Sequence, residues 1–121
     1  PVTMVPGACA FVSALVLSGM PTDSFVFQGF LSFKGAKRRK QLEGLKREKR
    51  TIILYESPHR LLKTLGDIYD IMKEREISIV RELTKVFEET LRLNVSAAIR
   101  HFSEKPPRGE FVLIIKGETS K

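Results

Sequence analysis

No tryptophan and only one cysteine, Cys9, occur in this chain of 121 residues. A single thiol excludes an internal disulfide framework and fits a reducing, cytoplasmic setting. The two histidines, His59 and His101, stand far apart, so no metal-ligand spacing exists and no metal is expected. The longest apolar stretch, Ala8 to Leu17, is far too short to span a bilayer, and no membrane partner is expected. It does not read as a signal peptide either, because no basic region precedes it and it opens with Pro6-Gly7. Internal repeats, low-complexity tracts and flexible linkers are missing too. What remains is a chain with 42% hydrophobic residues, enough for one globular core and too short for two.

Acidic residues are in deficit, and the deficit is local. Nine cations fall between Lys34 and Arg50 against Glu43 and Glu48, a net +7 that equals the excess of the whole chain. Lys34, Lys37, Arg38, Arg39 and Lys40 form its densest part. Such a patch suits phosphate neutralisation on a polyanion; the competing reading is a solvated helix face. No aromatic residue is interleaved from Lys34 to Arg50, which favours folded or duplex RNA over single-strand stacking.

Periodicity predicts alternating elements. Ala8 to Ser18 reads as a helix stopped by Gly19, Phe25 to Phe30 as a strand, and Lys37 to Lys46 as a polar helix with Leu42 and Leu45 on one side. Thr51 to Tyr55 is a compact β-branched run, hence a buried strand. Ser57 is placed to cap the next helix with Pro58 in its first position. Leu61, Leu62, Leu65, Ile68, Tyr69 and Met72 form that helix's expected buried stripe. Ile77 to Val80 and Phe87 to Val95 read as strands, Ser96 caps a short helix through Phe102, and Phe111 to Ile115 is a last strand. Five strands with about four helices describe an α/β layer fold with a mixed sheet.

Three strings sit where these strands meet loops: Tyr55-Glu56-Ser57-Pro58-His59-Arg60, Arg81-Glu82-Leu83-Thr84-Lys85 and Pro106-Pro107-Arg108-Gly109-Glu110. Ligand sites in open α/β sheets collect at such ends. Each string also sets cations beside carboxylates, which points to one site assembled from distant parts of the chain. His59 and Arg60 lie near a positive helix end, where Arg60 can hold a phosphate or pair with Glu56. His59 is either a proton carrier or a hydrogen-bonding residue. His101 reads as a C-terminal capping residue, and Cys9 as a small packing residue.

These strings, with Pro6-Gly7, Ser18-Gly19-Met20-Pro21-Thr22-Asp23, Gly29-Phe30-Leu31 and Lys34-Gly35, occur in an order that resembles the ribosomal RNA small subunit methyltransferase I family. That family sits within the tetrapyrrole methylase superfamily, and the resemblance runs from Val5 to Gly117. The chain departs from the family pattern at Ala8-Cys9-Ala10 and at Ser32-Phe33. The resemblance implies the C-terminal domain, residues 1–121, of a two-domain class III methyltransferase whose N-terminal domain is absent from this chain. It implies S-adenosylmethionine as cofactor, a homodimer, and methylation of a cytidine ribose 2′-oxygen in 16S rRNA of the small ribosomal subunit. The domain alone is expected to be inactive.

On that footing roles are assigned. Glu82 is the candidate base, with Lys85 or Arg81 as electrostatic partner; the alternative is a structural ion-pair network. Tyr55, Glu56, Leu83, Gly109, Glu110 and Phe111 are the expected cofactor wall, with Leu83 and Phe111 equally readable as core. Lys34, Lys37, Arg38, Arg39, Lys40, His59, Arg60 and Arg108 are the expected RNA contacts. Two alternative functions stand beside this one, a tetrapyrrole-precursor methyltransferase and a non-catalytic RNA-binding or dimerisation module.

Overall fold

β-branched and aromatic runs become strands and the intervening polar-apolar periodicities become helices. The structure, a computed structural model, describes residues 18–20, 23–83 and 86–119, with backbone alone at 82, 83 and 86–89. In chain order the elements are β1 (Phe25–Phe30), α1 (Gly35–Leu45), β2 (Thr51–Glu56), α2 (Leu61–Met72), β3 (Glu76–Leu83), β4 (Val86–Asn94), α3 (Val95–Glu104) and β5 (Glu110–Ile115). The helix expected over Ala8 to Ser18 lies outside the described residues except for Ser18, and Cys9 lies outside them entirely.

The five strands form one mixed sheet in the order β1-β2-β5-β3-β4. β1 and β2 run parallel, joined through α1 as a parallel pair requires. β5 inserts between β2 and β3 and is antiparallel to both. The β1–β2 register shifts between Phe27 and Gly29, where Gly29 adopts φ 73°, a bulge that re-aims the end of the edge strand.

Strand alternation divides the apolar residues between two faces. On one face Ile52, Leu54, Ile77, Ile79, Phe111, Leu113 and Ile115 meet Leu42 of α1, Leu65 and Ile68 of α2, and Val95, Ala98 and Phe102 of α3. On the other, Ile53, Val80, Val112 and Ile114 cluster with Met20, and Phe25 and Tyr55 pack against them.

Three details correct the sequence reading. α2 begins at Leu61 rather than Pro58, because Ser57 to Arg60 close a turn through Arg60 N–H to the Ser57 carbonyl at 3.2 Å. Its buried stripe is Leu61, Thr64, Leu65, Ile68, Ile71 and Met72, leaving Leu62 and Tyr69 at 36% and 38% exposure. A stripe holding 61, 62, 68 and 69 together is wider than the face a single layer covers. Ser96 does not cap α3 with its own side chain, since its hydroxyl and its N–H both donate to the Glu74 carboxylate.

Candidate functional site

The strand order brings the three strings to one end of the sheet. β2 ends, β5 begins and β3 ends there, on three adjacent strands. Glu56 stands opposite Phe111, Arg81 opposite Phe111 from the other side, and Glu82 opposite Glu110. This is the carboxyl end of β1 as well, which adds Phe30 opposite Tyr55.

Alternation then separates the residues by face. Tyr55 lies on the face of Ile53 and Val112, half-buried, with Phe27 and Phe30 edge-on to its ring at 5.4 Å each. Phe27 and Phe30 remain 47% and 53% exposed, so this corner of the sheet is an aromatic surface. The sequence reading missed both phenylalanines, although their spacing on a strand that reads as an edge was the available signal. Gly109, at φ 84°, turns the chain into β5 and leaves Glu110 exposed beside this face.

Two residues assigned to the cofactor wall are committed elsewhere. Phe111 is 1% exposed and its ring packs edge-on against Phe102 at 5.5 Å, so it is core. Glu56 is 2% exposed; its carboxylate accepts from the Thr64 hydroxyl at 2.6 Å and from Ser57 N–H at 2.8 Å, and Arg60 Nε lies 3.4 Å away. Glu56 is therefore the anchor that ties the end of β2 to α2, which explains why the turn displaces the helix start. His59 is exposed on that turn.

Among the expected RNA contacts, Arg38 is also corrected. It is 3% exposed, pairs with Asp67 of α2 at 2.7 Å and donates to the Ser32 and Phe33 carbonyls. Arg39 bridges Asp67 and Asp70 at 2.8 and 3.4 Å, and these carboxylates raise its pKa further. Lys34, Lys37 and Lys40 are exposed, so they carry the basic surface of α1 and its approach.

On the helix-covered side of the sheet end, Arg81 lines a cavity of about 370 Å³ together with His101, Lys105 and Arg108. Lys85 lies outside the described residues, and for Glu82 and Leu83 only the backbone placement is given. The described residues hold no cluster of histidine, cysteine and carboxylates suited to a metal, and no helix among them is long and apolar enough to cross a membrane.

Residues 1–99 match the family model of the Tetrapyrrole (Corrin/Porphyrin) Methylases. The chain belongs to that family. Within it, the chain is 50% identical over 116 residues to the Ribosomal RNA small subunit methyltransferase I of Synechocystis sp., covering 95% of this chain and 42% of the relative. The proteins of that name from Thermotoga maritima and Bacillus subtilis are 47% and 42% identical, covering 97% and 99% of this chain and 52% and 41% of their own lengths. The chain thus spans about half or less of the length of these relatives. Among solved structures, the methyltransferase CobJ superposes with a TM-score of 0.61 at 16% identity, covering 92% of this chain and 48% of that one, a likeness of fold.

Proposed function

We propose that this chain forms the C-terminal part of an S-adenosylmethionine-dependent enzyme that methylates a cytidine ribose 2′-oxygen in 16S rRNA. The observation that carries the reading is the 42–50% identity, over at least 95% of this chain, to relatives named Ribosomal RNA small subunit methyltransferase I. A second domain supplies the rest of the cofactor cleft, and the enzyme works as a cytoplasmic homodimer on the small ribosomal subunit.

The residues available at the sheet end fit one wall of a cofactor site. Tyr55 with its flanking phenylalanines offers a flat apolar surface to a purine, Glu110 an exposed carboxylate to ribose hydroxyls, and Gly109 a backbone without a Cβ. When bound, S-adenosylmethionine supplies an activated methyl on a sulfonium. The protein must then hold the 2′-oxygen in line and favour its deprotonation. Glu82 is the proposed base, with Lys85 stabilising the developing negative charge, because Arg81 lines a cavity on the helix-covered face, opposite Tyr55. Lys34, Lys37, Arg39, Lys40, His59, Arg60 and Arg108 are the proposed contacts to RNA.

Transfer of labelled methyl to small subunits lacking the modification tests the reading. A 2′-O-methyl blocks alkaline cleavage at the adjacent phosphate, so label must appear in an uncut dinucleotide. Label in a tetrapyrrole precursor and none in RNA would keep the fold and replace the substrate, the alternative that the family description favours. Glu82→Gln is expected to slow transfer about 10²-fold or more while sparing cofactor affinity. Near-normal turnover would remove Glu82 as the base.

A further inference from the structure

We infer that the cavity formed by Arg81, His101, Lys105 and Arg108 is a phosphate subsite that holds a phosphodiester of the substrate RNA. The inference rests on the RNA reading above and gives it a second, distinct contact surface. The cavity, about 370 Å³, falls at the small end of the range for ligand pockets, about 300–1,000 Å³. Among the described lining residues Arg81, Lys105 and Arg108 are cations, His101 is an imidazole, and none is a carboxylate. Glu104 and Glu110 are exposed and outside the described lining; Glu89 stands opposite Arg81 in the β3–β4 ladder and Glu82 follows Arg81 in the chain.

A helix C-terminus attracts cations by itself, and this accounts for His101 and Lys105 at the end of α3. It does not account for Arg81, fixed in the interior of the sheet, or Arg108, carried on the loop before β5. Three separate segments therefore converge on one hollow with the same charge. Pro106 and Pro107 also line it, and their fixed φ angles restrict the loop between Lys105 and Arg108. Less loop freedom is then lost on binding. His101 is held edge-on to Phe102 at 4.8 Å, which orients its ring.

The ligand's charge follows from the lining. S-adenosylmethionine carries a cationic sulfonium, which the cations Arg81, Lys105 and Arg108 would repel. Tyr55, on the proposed cofactor wall, lies on the opposite face of the same sheet end, away from the cavity. A phosphodiester suits the lining, because arginine guanidinium groups present paired N–H donors to phosphate oxygens. Cofactor and RNA backbone would thus approach the ends of β2, β5 and β3 from opposite faces.

The test is binding of the full-length protein to small-subunit rRNA transcript across a salt series. Lys105→Glu and Arg108→Glu sit on exposed loop positions and are compared with Lys63→Glu, an exposed reversal on α2. Each cavity variant is expected to weaken binding about five- to tenfold and to lower the salt slope by about one, the signature of a lost phosphate contact. Lys63→Glu is expected to change affinity less than about twofold. Cavity variants that match Lys63→Glu while the parent binds RNA tightly would overturn the subsite and leave the RNA reading standing. A parent that does not bind RNA would overturn both. Inorganic phosphate is the second probe: protection of the parent but not of Arg108→Glu against thermal unfolding, with unchanged RNA binding, would assign the hollow to a free anion and refute the RNA contact.

Discussion

A buried carboxylate determines the most informative motif of the chain. Glu56 is charged and enclosed, so its cost is met by the Thr64 hydroxyl, the Ser57 N–H and Arg60. Thr64→Val keeps the shape and removes one donor. It should cost about 1–3 kcal/mol in urea unfolding, the penalty of a charged acceptor left short of a partner. It should also loosen the turn that carries His59, which amide exchange at residues 57–60 would read. Gly117 is constrained differently: a Cβ there would lie 2.0 Å from the Lys49 carbonyl oxygen, in backbone that cannot swing aside. Gly117→Ala should cost about 2 kcal/mol or more by forcing the strand end and the α1–β2 connection apart. Neither constraint is written in residue type. Glu56 beside Arg60 reads as a ligand site in sequence, and only the placement of Thr64 beneath it shows the carboxylate turned inward.

Elements were far more legible than the residues that join them. The β-branched run at Thr51 and the alternation at Phe25 located two parallel strands, and the Pro106-Pro107-Arg108-Gly109 turn located the start of β5 within a residue. Strand order was not legible, because the insertion of β5 between β2 and β3 depends on pairings that no local pattern encodes. Nor was the clamp between α1 and α2, where Asp67 takes the guanidinium groups of both Arg38 and Arg39. Sequence counting set these arginines among exposed cations, yet Arg38 sits beside Leu42 on the inner side of α1. Asp67→Ala leaves that guanidinium enclosed without its anion. Stability should fall by about 3 kcal/mol, and Arg38→Met in the same background should recover part of it. The start of α3 gives a pH prediction. The Ser96 hydroxyl and N–H hold the Glu74 carboxyl below its ordinary range. A depressed folded-state pKa means this contribution is complete above the ordinary carboxylate pKa and is lost as pH falls through the depressed value. Glu74→Gln should therefore flatten the acid limb of the stability curve, with little change in its dependence above neutrality.

At the scale of the whole molecule, charge and strand ends divide the labour. The excess of +7 is confined in sequence to Lys34–Arg50, but in space part of it is neutralised. Arg38 and Arg39 are held by Asp67 and Asp70, and Arg50 by Glu48, whose carboxyl the arginine lowers to about 2. Lys34, Lys37 and Lys40 remain turned to solvent. A polyanion contacting this surface should therefore meet these exposed lysines rather than the enclosed Arg38. Reversal of Lys37 and Lys40 to glutamate should reduce RNA affinity and lower the salt slope by about two, while cofactor affinity and unfolding midpoint stay within about 0.5 kcal/mol of the parent. Reversal of Arg38 should instead lower the midpoint sharply, because its loss opens the α1–α2 seam. If both variants weaken RNA binding only in proportion to unfolding, the basic segment is a structural seam with solvated lysines and the sheet end alone carries substrate contact. A salt slope that moves in Lys37→Glu/Lys40→Glu at unchanged stability would instead extend the RNA track from α1 to the Arg81–Arg108 hollow.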